Sequence, residues 1–64
     1  MRAMLTEIYI EALLVDEELA DQVWEAWDKG EIDDKVAWLA WMLIVERPLY
    51  ARNRSFLIAR IMRD

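Results

Sequence analysis

Polar and apolar residues follow helical spacing along nearly all of this chain, and one stretch breaks the rhythm by being apolar throughout. It runs Val36-Ala37-Trp38-Leu39-Ala40-Trp41-Met42-Leu43-Ile44-Val45, with Asp33, Asp34 and Lys35 before it and Glu46 and Arg47 after it. A membrane-spanning helix needs about 20 apolar residues, and a run of about 10–14 marks a core helix instead. Periodicity cannot separate a helix from a buried strand in such a run. Its length, its Ala, Leu and Met content and the entry signal of Asp33 as N-cap behind Ile32 all favour helix. The predicted element is a helix over about 34–46, fully buried at the centre of the fold. Pro48 disfavours helical geometry at Arg47 and so ends it.

Placing the other residues at 100° steps predicts the elements that surround this helix. Over about 3–14, Met4, Leu5, Ile8, Tyr9, Ala12 and Leu13 share one broad side, while Thr6, Glu7 and Glu11 take the other. Ile10 and Leu14 fall among those polar residues and make a second apolar facet. Such a facet is either buried deep in the chain's own domain or covered by another subunit. Over about 17–29 the pattern is one-sided: Leu19, Ala20, Val23, Trp24, Ala26 and Trp27 against Glu18, Asp21, Gln22, Glu25, Asp28 and Lys29. Asp16 is its N-cap, Glu17 and Glu18 suit the first turn, and Gly30 supplies the position just past its end. The short link Gly30-Glu31-Ile32-Asp33 makes the second and third helices antiparallel neighbours.

The last helix is predicted over about 49–62, with Leu57, Ile58, Ile61 and Met62 on one side and Arg60 and Arg63 on the other. Arg54 lands in the middle of the apolar side and must be paired or snorkel to water. A turn followed by a shorter helix capped near Asn53 or Ser55 is less favoured. The fold class is therefore all-α, a single domain built as a small bundle of three to four short helices.

Helices two and three each carry a Trp-x-Ala-Trp unit, Trp24 to Trp27 and Trp38 to Trp41. At this spacing the two rings of each pair lie on one side with a small residue between them. Large and small residues then interlock two helices in a core. An aromatic cleft for a peptide or small ligand is the functional alternative.

Composition changes the picture in one respect. The chain is 58% hydrophobic over 64 residues and holds four Trp. Soluble domains run about 45–50% apolar, and a domain this short buries only about 60% of its unfolded surface. The surplus points to a second chain that covers it. Tyr50, Leu57, Ile58 and Ile61 of the last helix, together with Ile10 and Leu14, are the candidate oligomer-interface residues.

Chemistry is limited by what is missing. The chain has no Cys and no His, which excludes disulfides, thiolate or imidazole metal sites, Cys nucleophiles and His bases. Ser55 is the sole Ser and has no His to activate it. A hard-cation site at Glu31, Asp33 and Asp34 lacks the spacing and central Gly of a calcium loop. No catalytic residue, cofactor or metal is expected. Arg2 makes a poor leader n-region and Glu7 and Glu11 interrupt any apolar core behind it, so no signal peptide is read. A cytoplasmic location is the default.

The net charge of −5 is unevenly shared. Residues 1–46 hold twelve acids against Arg2, Lys29 and Lys35, whereas residues 47–64 hold five Arg against Asp64. The acids concentrate along helix two and its ends, from Asp16 to Asp34, with Glu18, Asp21, Glu25 and Asp28 on its outer face. This strip is a solubilising face or a surface for another protein. DNA carries negative charge at comparably close spacing, so an acidic nucleic-acid mimic that blocks a DNA-handling protein is a rival reading. The scattered Arg of the last helix do not amount to a nucleic-acid-binding surface, and neither nucleic acid nor a membrane is expected as a partner. The sequence supports a non-catalytic protein–protein interaction module acting as a homo-oligomer, with the dimer the simplest form. A regulatory or inhibitory task, by analogy with small proteins of phages and mobile elements, would suit it. Two less favoured readings are a small enzyme using a carboxylate pair and a designed sequence without a biological task.

Overall fold

A computed structural model describes residues 2–61, the side chain of Arg2 excepted. Four helices follow one another: α1 (Arg2–Val15), α2 (Glu17–Asp28), α3 (Asp34–Val45) and α4 (Arg47–Ile61). The fold is a small all-α bundle. The third helix packs against each of the other three, and the second does the same. Among the described residues α1 and α4 do not touch. They flank the central α2–α3 pair on opposite sides.

The turns between helices follow from local chemistry. Asp16 sits at φ −150°, and its Oδ1 accepts the Leu19 amide at 3.1 Å, which stops α1 and starts α2. Gly30 closes α2 at φ +79°. The amides of Gly30 and Glu31 donate back to the carbonyls of Trp27 and Ala26 at 3.1 and 2.8 Å. This pair of bonds satisfies the last carbonyls of the helix and needs a left-handed residue, which glycine adopts without penalty. Asp33 then caps α3 through the Val36 amide at 2.9 Å.

The junction of α3 and α4 lies one residue earlier than expected. The break falls at Glu46, whose ψ of 98° is extended, and Arg47 already belongs to α4. Had α3 continued, the ring of Pro48 would have met the carbonyl of Ile44. With the turn at Glu46, Pro48 instead occupies the first turn of α4, where a missing amide costs nothing. The Tyr50 amide closes that turn onto the Glu46 carbonyl at 2.7 Å. The fourth segment is one continuous helix to Ile61. Met62, its expected last residue, and Arg63 lie outside the described residues.

The core is aromatic at its centre. Trp41 is completely buried, and its Nε1 donates to the Ala20 carbonyl at 3.2 Å. Trp27 meets Trp41 edge-on at 5.5 Å and 89°, and Trp24 meets Trp27 at 5.2 Å and 86°. Tyr9 packs 4.6 Å from Trp24 and 5.4 Å from Trp41. Edge-to-face pairs of this kind are worth about 0.5–1.5 kcal/mol beyond their buried area. Ala12, Ala20, Ala37 and Ala40 are buried around these rings. Small residues there bring the helix axes close enough for the large ones to interlock. Trp24, Trp27 and Trp41 therefore belong to the interlocked core, and Trp38 does not.

One expectation for α3 is corrected. The helix is central, but it is not covered on every side. Ala37, Ala40, Trp41 and Ile44 face inward, while Val36, Trp38 and Leu39 are exposed. Three neighbouring helices, two of them at the flanks, leave the fourth side of a helix open. The apolar run therefore shows one apolar face to the core and a second to solvent.

Candidate interaction surface

Two polar anchors tie the flanking helices to the central pair. At the first, the Tyr50 hydroxyl donates to Asp16 Oδ2 at 2.7 Å, and Arg54 Nε lies 3.6 Å from the same oxygen and 3.1 Å from the Tyr50 hydroxyl oxygen. Arg54 thus has the partner its position demanded. Burial raises the Asp16 pKa, but the bonds from Tyr50, Leu19 and Arg54 outweigh it and hold the carboxyl below its usual value. At the second anchor, the Tyr9 hydroxyl donates to Asp21 Oδ1 at 2.6 Å. That bond, with burial and the charges of Asp21 and Glu17 behind it, pushes the phenol pKa up to about 12.

These anchors thin the acidic strip. Asp16 and Asp33 are caps, Asp21 holds Tyr9, and Asp34 Oδ1 accepts the Trp27 indole N–H at 2.7 Å. Glu18, Glu25 and Asp28 remain exposed on the outer side of α2. Among the described residues no three His, Cys, Asp or Glu side chains converge on a metal-sized site. No described helix is long and apolar enough to cross a membrane.

The six residues expected at an oligomer interface separate into two groups. Ile10 is 53% exposed and Leu14 83%, both on the outward side of α1. The four from the last helix do internal work instead. Leu57 is buried, and Tyr50, Ile58 and Ile61 are half-buried against the core. They line the seam between α4 and its neighbours, on the same side of the helix as Arg54. Leu49 and Phe56, the latter 55% exposed, are the large apolar residues that the described part of α4 leaves outside.

Sequence reasoning missed the outer face of α3, which has a cleft on either side of it, the first lined by one Trp from each of the two Trp-x-Ala-Trp units. On the α1 side, Met4, Leu5, Trp27, Ile32 and Trp38 line an open cleft of about 880 Å³, with Asp33, Asp34 and Lys35 at its rim. On the α4 side, Val36, Leu39, Leu43 and Phe56 line a smaller groove of about 330 Å³, with Glu31 and Arg60 at its edge. The guanidinium of Arg60 stands 5.8 Å from the Phe56 ring centre. Between the two hollows runs the ridge of α3 itself. Its signal in the sequence is the placement of Lys35 and Glu46, the two charges that fall on the same line as Leu39 and Met42. Compared with protein-family models, curated proteins and solved structures, the chain matches none.

Proposed function

We propose that this chain is a non-catalytic protein–protein interaction module that acts through self-association, with the dimer as its simplest form. The observation that carries this reading is the apolar surface left outside a filled core. Met4, Ile10, Leu14, Leu39 and Phe56 are each between 46% and 83% exposed, although the centre is already packed with three Trp, Tyr9 and tightly fitted Ala. Apolar surface of this extent marks an interaction site rather than a solvated exterior. The exposed acids of α2 keep such an assembly in solution. A regulatory or inhibitory task, performed by occupying a partner's surface, fits a module of this kind.

Size-exclusion chromatography with light scattering tests the proposal. A mass near twice 7.7 kDa at micromolar concentration is expected. A lone chain of 7.7 kDa at about 100 μM would overturn it.

A further inference from the structure

Resting on that self-association, we infer that the contact is an isologous pairing of α3 with α3 of a second copy, antiparallel, about a twofold axis between Leu39 and Met42. The outermost line of α3, continued one residue to its C-cap, holds Lys35, Leu39, Met42 and Glu46, at spacings of four, three and four residues. This is the spacing of a coiled-coil seam. Leu39, Lys35 and Glu46 are exposed, and Met42 is half-buried. No other residue of α3 lies on this line.

The order of the four residues matters more than their spacing. A twofold axis at the midpoint of Leu39 and Met42 sets Leu39 against Met42 of the second copy. The same operation sets Lys35 against its Glu46. Each charge that would meet across the axis is opposite in sign, and the apolar pair falls at the centre where water is excluded. A parallel pairing would set Lys35 against Lys35 and Glu46 against Glu46.

Within one chain these two charges stand too far apart to pair with each other. Eleven residues of helix separate Lys35 from Glu46 by about 16 Å. Among the described residues neither pairs with an opposite charge. Trp38 and Met4 on one flank, and Val36 and Phe56 on the other, widen the ridge into a face. A standard interface takes about 800 Å² from each partner. That is about a sixth of this chain's 4609 Å², within what one side of a molecule 27 × 26 × 17 Å can supply.

Charge-swapped variants test the register. All the substituted side chains are on the surface, so helix content by circular dichroism should stay at the wild-type level. L39E places like charges near the axis and should weaken self-association about 100-fold. K35E alone and E46K alone should each weaken it about tenfold, since each creates two like-charge contacts. An equimolar mixture of K35E and E46K chains should form a heterodimer with affinity within about threefold of the wild type. The double variant K35E/E46K should recover to the same degree as a homodimer. Sedimentation equilibrium reads all of these.

Wild-type association that resists L39E, K35E and E46K would overturn the inference and leave self-association standing. Weakening by L14E but not by L39E would do the same, and would place the contact on α1. Singles that weaken association without rescue in the mixture would overturn the antiparallel register. A monomeric wild type would overturn both this inference and the reading beneath it.

Discussion

Asp16 is the residue whose loss should reach furthest, because one carboxylate both caps α2 and holds α4. Its Oδ1 caps α2 through Leu19, and its Oδ2 receives the Tyr50 hydroxyl of α4. Removing an Asp N-cap costs about 1 kcal/mol. Removing a charged acceptor from a hydrogen bond that is only part-buried costs a further 1–2 kcal/mol or so. Arg54 is more than half exposed and adds nothing to this sum. Asp16→Ala should therefore lose about 2–3 kcal/mol, and at this chain length each kcal/mol lowers Tm by about 4–8 °C. Asp16→Asn keeps a capping oxygen and should lose about half as much. Tyr50→Phe should cost about 1 kcal/mol, and the double variant Asp16→Ala/Tyr50→Phe should show a coupling of similar size. Thermal unfolding at one fixed protein concentration is the assay, because self-association makes Tm depend on concentration. The depressed pKa gives a second readout. Asp16 supplies its full stabilisation above the ordinary Asp value of about 3.9 and loses it as pH falls through the lower folded value. Wild type should lose stability over that acid range, and Asp16→Asn should lose less. Strictly additive Asp16 and Tyr50 effects, or identical acid profiles for wild type and Asp16→Asn, would refute the reasoning.

Three further outcomes are expected. Trp41→Ala removes a fully buried ring at the centre of the aromatic cluster; at about 3–5 kcal/mol it should abolish the cooperative thermal transition. Gly30→Ala meets no neighbouring atom, so its cost is the φ of +79° alone; a loss of about 1–2 kcal/mol, read as a fall in Tm, is expected, and an unchanged Tm would contradict it. In a Tyr50→Phe background, ultraviolet titration should show Tyr9 ionising near pH 12, with Asp21→Asn moving it back towards 10. The raised phenol pKa stabilises the fold fully below about pH 10 and ceases to do so as pH rises through the folded value.

Most of the local structure was legible in the residues because it depends on neighbours in sequence. Asp16 and Asp33 as caps, Gly30 as the left-handed stop, and Pro48 as a helix breaker each act within one turn of the chain. The one-sided α2 was equally plain, since a helix with a single apolar stripe has only one way to face. The long apolar run was harder. Ten apolar residues in a row establish a helix that is short of a membrane span, but they do not say how many sides are covered. That depends on the number of helices that pack around it, and here α1, α2 and α4 close three sides and leave Lys35, Leu39, Met42 and Glu46 on the fourth.

The same limit applies to the last helix. Its apolar residues and Arg54 lie on overlapping faces, so periodicity alone admits either side as the buried one. Only the tertiary arrangement brings Tyr50 to Asp16 across 34 residues of chain, with Arg54 beside them, and in it Leu57, Ile58 and Ile61 face inward and Phe56 out. Sequence by itself determined the class of fold, the helix boundaries to within a few residues and the excess of apolar side chains. Tertiary structure decided which of those side chains are left outside, because burial is a property of the neighbours a residue acquires and not of the residue.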